Sequence, residues 1–155
     1  MPQIVKGGKY IFGWSRVGDK GEIRIPPEAF QEYDLKNYEN LILIPGSKRS
    51  GGFGLSSIEK FKKFPIGAVL EKNPQLATFQ VPEGNALQID QKTFCWVKQD
   101  NSGTIIVPLV TLKKYGISNG DFLLVVRGSH LAVGFIVKGP IVEIAKKHPE
   151  IQRFE

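Results

Sequence analysis

Gly21-Glu-Ile-Arg-Ile-Pro26 and Gly103-Thr-Ile-Ile-Val-Pro108 are two versions of one string, placed 82 residues apart in a 155-residue chain. At that offset residues 14–55 overlay 96–137 without a gap, and eleven of the 42 positions are identical. Among them are Trp14/Trp96, Gly21/Gly103, Pro26/Pro108, Tyr33/Tyr115, Gly46/Gly128, Ser47/Ser129 and Phe53/Phe135. Where the copies differ, apolar usually replaces apolar: Ile25/Val107, Phe30/Leu112, Leu35/Ile117, Ile42/Leu124, Leu43/Val125. Turns and apolar pattern persist while charges drift, which marks a duplication of fold.

The first copy spells out its own elements. Tyr10, Phe12 and Trp14 alternate over residues 9–17, predicting a strand with a large aromatic inner face. Gly18-Asp19-Lys20-Gly21 is a turn, and Glu22-Ile23-Arg24-Ile25 a short strand with the isoleucines inward and Arg24 outward. Pro26-Pro27-Glu28 opens a short helix, since proline suits the first turn and a carboxylate its positive end. Leu41-Ile44 is continuously apolar, as a strand buried on both faces is. A hairpin connection follows over 45–51, then a return strand over 52–55. Residues 96–137 repeat the order.

A second overlay, at an offset of 75, matches Pro65/Pro140, Ile66/Ile141, Lys72/Lys147, Pro74/Pro149 and Phe79/Phe154. Each unit is therefore expected to carry a trailing helix, and copy one has seven extra residues within 56–64. The expected organisation is a first repeat over 5–79, a linker over 80–91, and a second repeat over 92–155.

Composition narrows the function classes. A content of 41% apolar and 23% charged residues is ordinary for a globular chain, and no apolar run is long enough to span a bilayer. Nothing near Met1 reads as a signal peptide, so a cytoplasmic protein is expected. Cys95 is the only cysteine, which excludes an internal disulfide and a thiolate metal cluster. The net charge of +6, skewed to the first copy, favours an anionic partner.

The paired Gly-x-Ile-x-Ile/Val-Pro strings, the short helix behind each, Tyr115-Gly-Ile and Asn119-Gly120-Asp121 resemble the AbrB/SpoVT family over residues 10–56 and 92–138. Two copies in one chain resemble the tandem arrangement of MraZ-type regulators. The resemblance implies a mainly β fold with short helices. It would be a pseudo-twofold swapped-hairpin β-barrel built from two tandem repeats, with a helix after each. It also implies DNA binding and transcriptional regulation. Family DNA binders usually carry arginine directly after the motif glycine; this chain has Glu22 and Thr104 there, and it lacks the Asp-x-x-x-Arg signature of MraZ.

Two candidate sites follow. Arg16, Lys20, Arg24, Lys98 and Lys113 form a candidate basic face for duplex phosphates, with Arg16 and Lys98 at matching positions. A solvated, charge-alternating strand face is the bland reading of the same residues. The glycine-rich hairpins, with Ser47, Lys48, Arg49, Arg127 and Ser129, are a candidate anion site, since glycine lets backbone N–H groups converge on an anion. Two ordinary hairpin turns would use the same residues. Trp14, Trp96, Phe12 and Phe94 read as symmetric barrel core rather than as base-stacking platforms.

No catalytic constellation can be assembled from Cys95, His130, His148, Asp19 and Asp100, and no metal or cofactor is expected. The expected function is non-enzymatic binding of double-stranded DNA. The alternative is a ligand-binding or protein-interaction module that kept the barrel and lost the DNA surface. The exposed trailing helices leave self-association open.

Overall fold

The computed structural model describes residues 8–63, 67–129 and 131–155; Pro65, Ile66, His130 and the first residues of the first repeat lie outside them. Among the described residues ten strands and six short helices make the fold mainly β. In chain order the first half runs β1 (Ile11–Arg16), β2 (Glu22–Arg24), α1 (Pro27–Glu32), β3 (Asn40–Pro45) and β4 (Phe53–Ser56). Three short helices follow: α2 (Ile58–Phe61), α3 (Ala68–Lys72) and α4 (Pro74–Ala77). The second half runs β5 (Leu87–Ile89), β6 (Lys92–Lys98), β7 (Thr104–Ile106), α5 (Leu109–Lys114), β8 (Phe122–Arg127), β9 (Val133–Ile136), α6 (Pro140–Ala145) and β10 (Arg153–Phe154).

Eight strands lie in the order β10-β1-β8-β9-β4-β3-β6-β5, and β2 with β7 forms a separate two-stranded ribbon. The pairing crosses between the halves. Trp14 of β1 is opposite Leu124 of β8, while Trp96 of β6 is opposite Ile42 of β3, the same register at the offset of 82. Two further pairings join offset-equivalent residues to each other: Ile23 with Ile105 in the ribbon, and Phe53 with Phe135 where β4 meets β9.

The ladder does not close into the barrel expected from the sequence. Its edges are β10 and β5. The ribbon strands are three residues long and pair with one another, and among the described residues the isolated Gln99–Ile105 bridge is the one β-bridge between the ribbon and the end of a long-sheet strand. The ribbon packs on the central core instead of joining the ladder. Ile23, Ile25, Ile105 and Val107 bury fully against Leu41, Leu43, Phe53, Leu123, Val125 and Phe135 in the central core.

Continuous apolar strands arise because the sheet is covered twice. Leu41 and Leu43 face the central core, while Ile42 faces a second cluster with Phe61, Leu70, Leu76, Phe94 and Trp96 under α2–α4. Leu123 and Val125 face the same core, and Leu124 and Val126 pack with Trp14, Val142 and Ile151 under α6. Strand periodicity sends successive residues to opposite faces, so both must be apolar here.

That layering corrects the aromatic face. Trp14, Trp96 and Phe94 are buried, but on the outer face of the sheet against the trailing segments; Phe12 alone of the set reaches the central core. A register shift between Ile11 and Gly13 breaks the alternation of β1. Gly13 is there at φ +146°, and a Cβ on it would lie 2.7 Å from the Phe154 ring and 2.8 Å from the Gln152 carbonyl oxygen. A bulge is the local answer to that close approach. Cys95, opposite Gly13 in the overlay, is fully buried in the central core.

Two segments are more ordered than expected. The stretch read as a linker contains β5, which pairs with β6, and it is pinned by Trp96 Nε1 donating to the Val81 carbonyl at 2.5 Å. The C-terminal β10 pairs in parallel with β1. Conversely, the first trailing helix is not one element but the separate turns α2, α3 and α4.

Candidate nucleic-acid interface

The ribbon sets the geometry. Its register places Glu22 opposite Ile106 and Arg24 opposite Thr104. Ile23 and Ile105 between them are fully buried, so the remaining four side chains form the outer face. Ile106 is 54% exposed there, one of the exposed large apolar residues of the chain. Each ribbon strand is held from beside it. Ser15 Oγ donates to the Arg24 carbonyl at 2.5 Å. On the other side the bridge to Ile105 is made by Gln99, whose buried side chain is itself fixed by donating to the Leu35 and Tyr38 carbonyls at 3.3 and 3.1 Å and accepting from the Asn101 N–H at 2.8 Å.

Those holding positions adjoin the residues expected to bind DNA. Arg16 ends β1 directly after Ser15, and Lys98 ends β6 directly before Gln99; both side chains are exposed. The two cations therefore stand on either flank of the ribbon. Arg16 and Arg24 share a concavity of about 260 Å³ with Gly18, Glu22, Thr104 and Glu155. Arg24 lies 5.8 Å over the Phe154 ring, a contact that holds a guanidinium without neutralising it. Lys20 is beside them, its backbone N–H donating to Glu22 Oε1 at 2.6 Å. Lys113 is exposed in the last turn of α5, one helix removed from the ribbon. Four of the five residues thus gather at the ribbon and its flanks, with the carboxylates of Glu22 and Glu155 beside the arginines and that of Glu83 accepting the Lys98 N–H at 2.8 Å.

The hairpin residues divide. Ser47, Arg49 and Ser129 line one groove of about 660 Å³ between the β3–β4 and β8–β9 hairpins. Each serine also serves its own turn: Ser47 Oγ accepts from the Ser50 N–H at 3.1 Å, and Ser129 Oγ accepts from the Leu131 and Ala132 N–H groups at 3.1 and 3.2 Å. Lys48 and Arg127 are not among the groove's lining residues. Arg127 instead forks onto Glu32, Nε to Oε2 at 2.7 Å and Nη2 to Oε1 at 2.6 Å, with Tyr10 4.4 Å beneath its guanidinium. Sequence reasoning missed Lys9 and Lys138, which join Arg49 at the groove; no local motif links positions 9, 49 and 138.

Other polar side chains make local contacts. Asp100 accepts from Ser102 Oγ at 2.5 Å and from the Ser102 and Thr104 N–H groups, and those hydrogen bonds hold its carboxyl below the usual carboxylate range. Asp121 accepts from the Ser118 N–H at 2.8 Å. His148 meets Glu150 at 2.8 Å. Burial pushes the Cys95 thiol up to about 12. Among the described residues no group of three or more His, Cys, Asp or Glu side chains could hold a metal ion, and no helix is long and apolar enough to cross a membrane. No protein-family model matches the chain, and no curated protein matches it either.

Proposed function

We propose that the protein is a cytoplasmic, non-enzymatic DNA-binding regulator of the AbrB/SpoVT type. Two tandem repeats exchange hairpins, and ribbon packing takes the place of a closed ladder in completing the barrel. The observation that carries the DNA reading is the ribbon itself. It is a two-stranded antiparallel element of a width the major groove admits, and Arg16 and Lys98 flank it at matching register. Arg16 and Lys98 then hold phosphates on the two groove walls, Lys20 adds charge at the β1–β2 turn, and Arg24 faces base edges beside Thr104. Lys113 is the outermost phosphate contact.

Anisotropy of a labelled mixed-sequence duplex at about 50 mM salt tests this, because low salt favours phosphate contacts. Binding should weaken in Arg16→Ala and Lys98→Ala, each lowering the slope of log affinity against log salt by roughly 0.9. A wild-type chain that ignores duplex at that salt overturns the reading.

One observation favours the alternative of a ligand-binding or protein-interaction module without DNA contact. Glu22 stands on the ribbon's outer face, where its carboxylate repels phosphate. The substitution Glu22→Gln separates the two. It tightens duplex binding if the ribbon enters the groove and leaves an indifferent protein indifferent.

A further inference from the structure

The outer face of the sheet is covered on both sides but not in the middle. The cluster under α6 covers β1 and β8, the cluster under α2–α4 covers β3 and β6, and between them β4 and β9 present Gly54 and Gly134 outward. Neither glycine has a positive φ, so backbone conformation does not require glycine at either site. A Cβ on Gly54 would stand 3.1 Å from Ile44 Cγ1, and one on Gly134 3.2 Å from Val126 Cγ2. What the two glycines provide is space, a trough floored by backbone and walled by Ile44, Val126, Ile136 and Ile144. Its volume of about 660 Å³ is of the size that small-molecule sites have.

The charge at the trough has one sign. Lys9, Arg49 and Lys138 line it, and no aspartate or glutamate does among the described residues. Among the described residues none of the three cations is in an ion pair there. Arg49 and Lys138 are neighbours: the Val137 and Lys138 N–H groups both donate to the Ser50 carbonyl, and the Arg49 carbonyl oxygen is 3.3 Å from where a Gly139 Cβ would sit. An apolar floor with a cationic rim complements a molecule that has an alkyl body and a single anionic head. We propose that this groove binds a free fatty acid of medium to long chain, its carboxylate held by Arg49 and Lys138 and its chain lying over Gly54 and Gly134. The trough is on the face of β4 and β9 turned away from the core that the ribbon covers, so this site does not depend on the DNA reading.

Calorimetric titration of the full chain with octanoate, decanoate and dodecanoate, each below its micellar concentration, tests the assignment. Affinity should rise about fourfold per added methylene. Decanol and decyltrimethylammonium, which keep the chain without the anion, should bind at least tenfold more weakly than decanoate, and acetate should not bind. The double charge reversal Arg49→Glu/Lys138→Glu changes two exposed side chains and should abolish the preference for decanoate over decanol. Filling the trough by Ile144→Trp should weaken all three carboxylates, and far-ultraviolet circular dichroism would report that the variant is folded. Equal affinity for decanoate and decanol in the wild type, no dependence on chain length, or an unchanged preference after the charge reversal would each overturn the proposal.

Discussion

Gly21 and Gly103 are the same residue of the repeated string, yet a methyl group meets different surroundings at the two. Both have a positive φ, +87° and +83°, a backbone that costs an L-residue about 1–2 kcal/mol. At Gly21 the added Cβ would also fall 1.8 Å from the Val107 carbonyl oxygen, whereas at Gly103 nothing is closer than 3.7 Å. Val107 donates its own N–H to the Gly21 carbonyl at 3.0 Å, so relief of the clash requires the ribbon strands to part. Urea denaturation should therefore find Gly103→Ala destabilised by about 1–2 kcal/mol and Gly21→Ala by clearly more; equal losses would contradict the geometry. Cys95 gives a second prediction at this scale. Burial raises its thiol to about 12, so the folded chain keeps a proton that the unfolded chain gives up near 9. Stability that is fully present below pH 9 is then lost as pH rises toward 12, with a slope of at most about 1.4 kcal/mol per pH unit from this group. Denaturation midpoints at pH 8 and pH 10.5 should diverge less in Cys95→Ala than in the wild type. The native thiol should also resist an aromatic disulfide reagent at pH 8, because too little thiolate forms and the side chain is fully buried.

At the scale of elements, the segment joining the halves is where an ordinary polar bond matters most. Thr111 of α5 donates its hydroxyl to the Gly84 carbonyl at 2.5 Å, and both residues are buried. Thr111→Val keeps the shape and leaves that carbonyl without the bond, which costs about 1–3 kcal/mol when the orphaned group stays dry. Thermal unfolding should show the loss, and a variant as stable as wild type would mean that water replaces the hydroxyl. Much of the element order was legible from residues. Pro26-Pro27-Glu28 did open α1, Leu41-Ile44 did form a strand buried on both faces, and the glycine-rich turns did join hairpins. What could not be read depends on partners far along the chain. The three-residue β5 sits in a turn-rich stretch too short to show a period, and β10 is a strand only because β1 is beside it. The bulge at Gly13 answers Gln152 and Phe154, which no window around residue 13 contains. The candidate site divides in the same way. Arg16 and Lys98 were visible because the overlay pairs them, while Lys9, Arg49 and Lys138 meet only through the tertiary fold.

At the scale of the whole molecule, the two halves are not separable units, because most ladders run between them. β1 pairs with β8 and β10, and β2 pairs with β7; all these partners belong to the second half. Among the described residues before position 79, only the strands β3 and β4 pair with one another. A two-stranded hairpin on its own is marginal in water at best. The central core is likewise joint property, since Phe53 stacks on Phe135 at 4.9 Å and Ile23 is opposite Ile105. A fragment ending at residue 79 should therefore show no cooperative unfolding transition as a monomer, although its far-ultraviolet spectrum can retain some strand signal. Mixing it with a fragment beginning at residue 80 should restore one transition that near- and far-ultraviolet signals follow together, with a midpoint that depends on concentration, as association requires. The first fragment has a second route to order. The register β3 offers to β6 is the one β8 offers to β1, so two copies of the fragment can supply each other's missing strands. Sedimentation would then find it folded only as a dimer. A fragment that unfolds cooperatively while sedimenting as a monomer would show that the exchange between halves is not what holds this fold together.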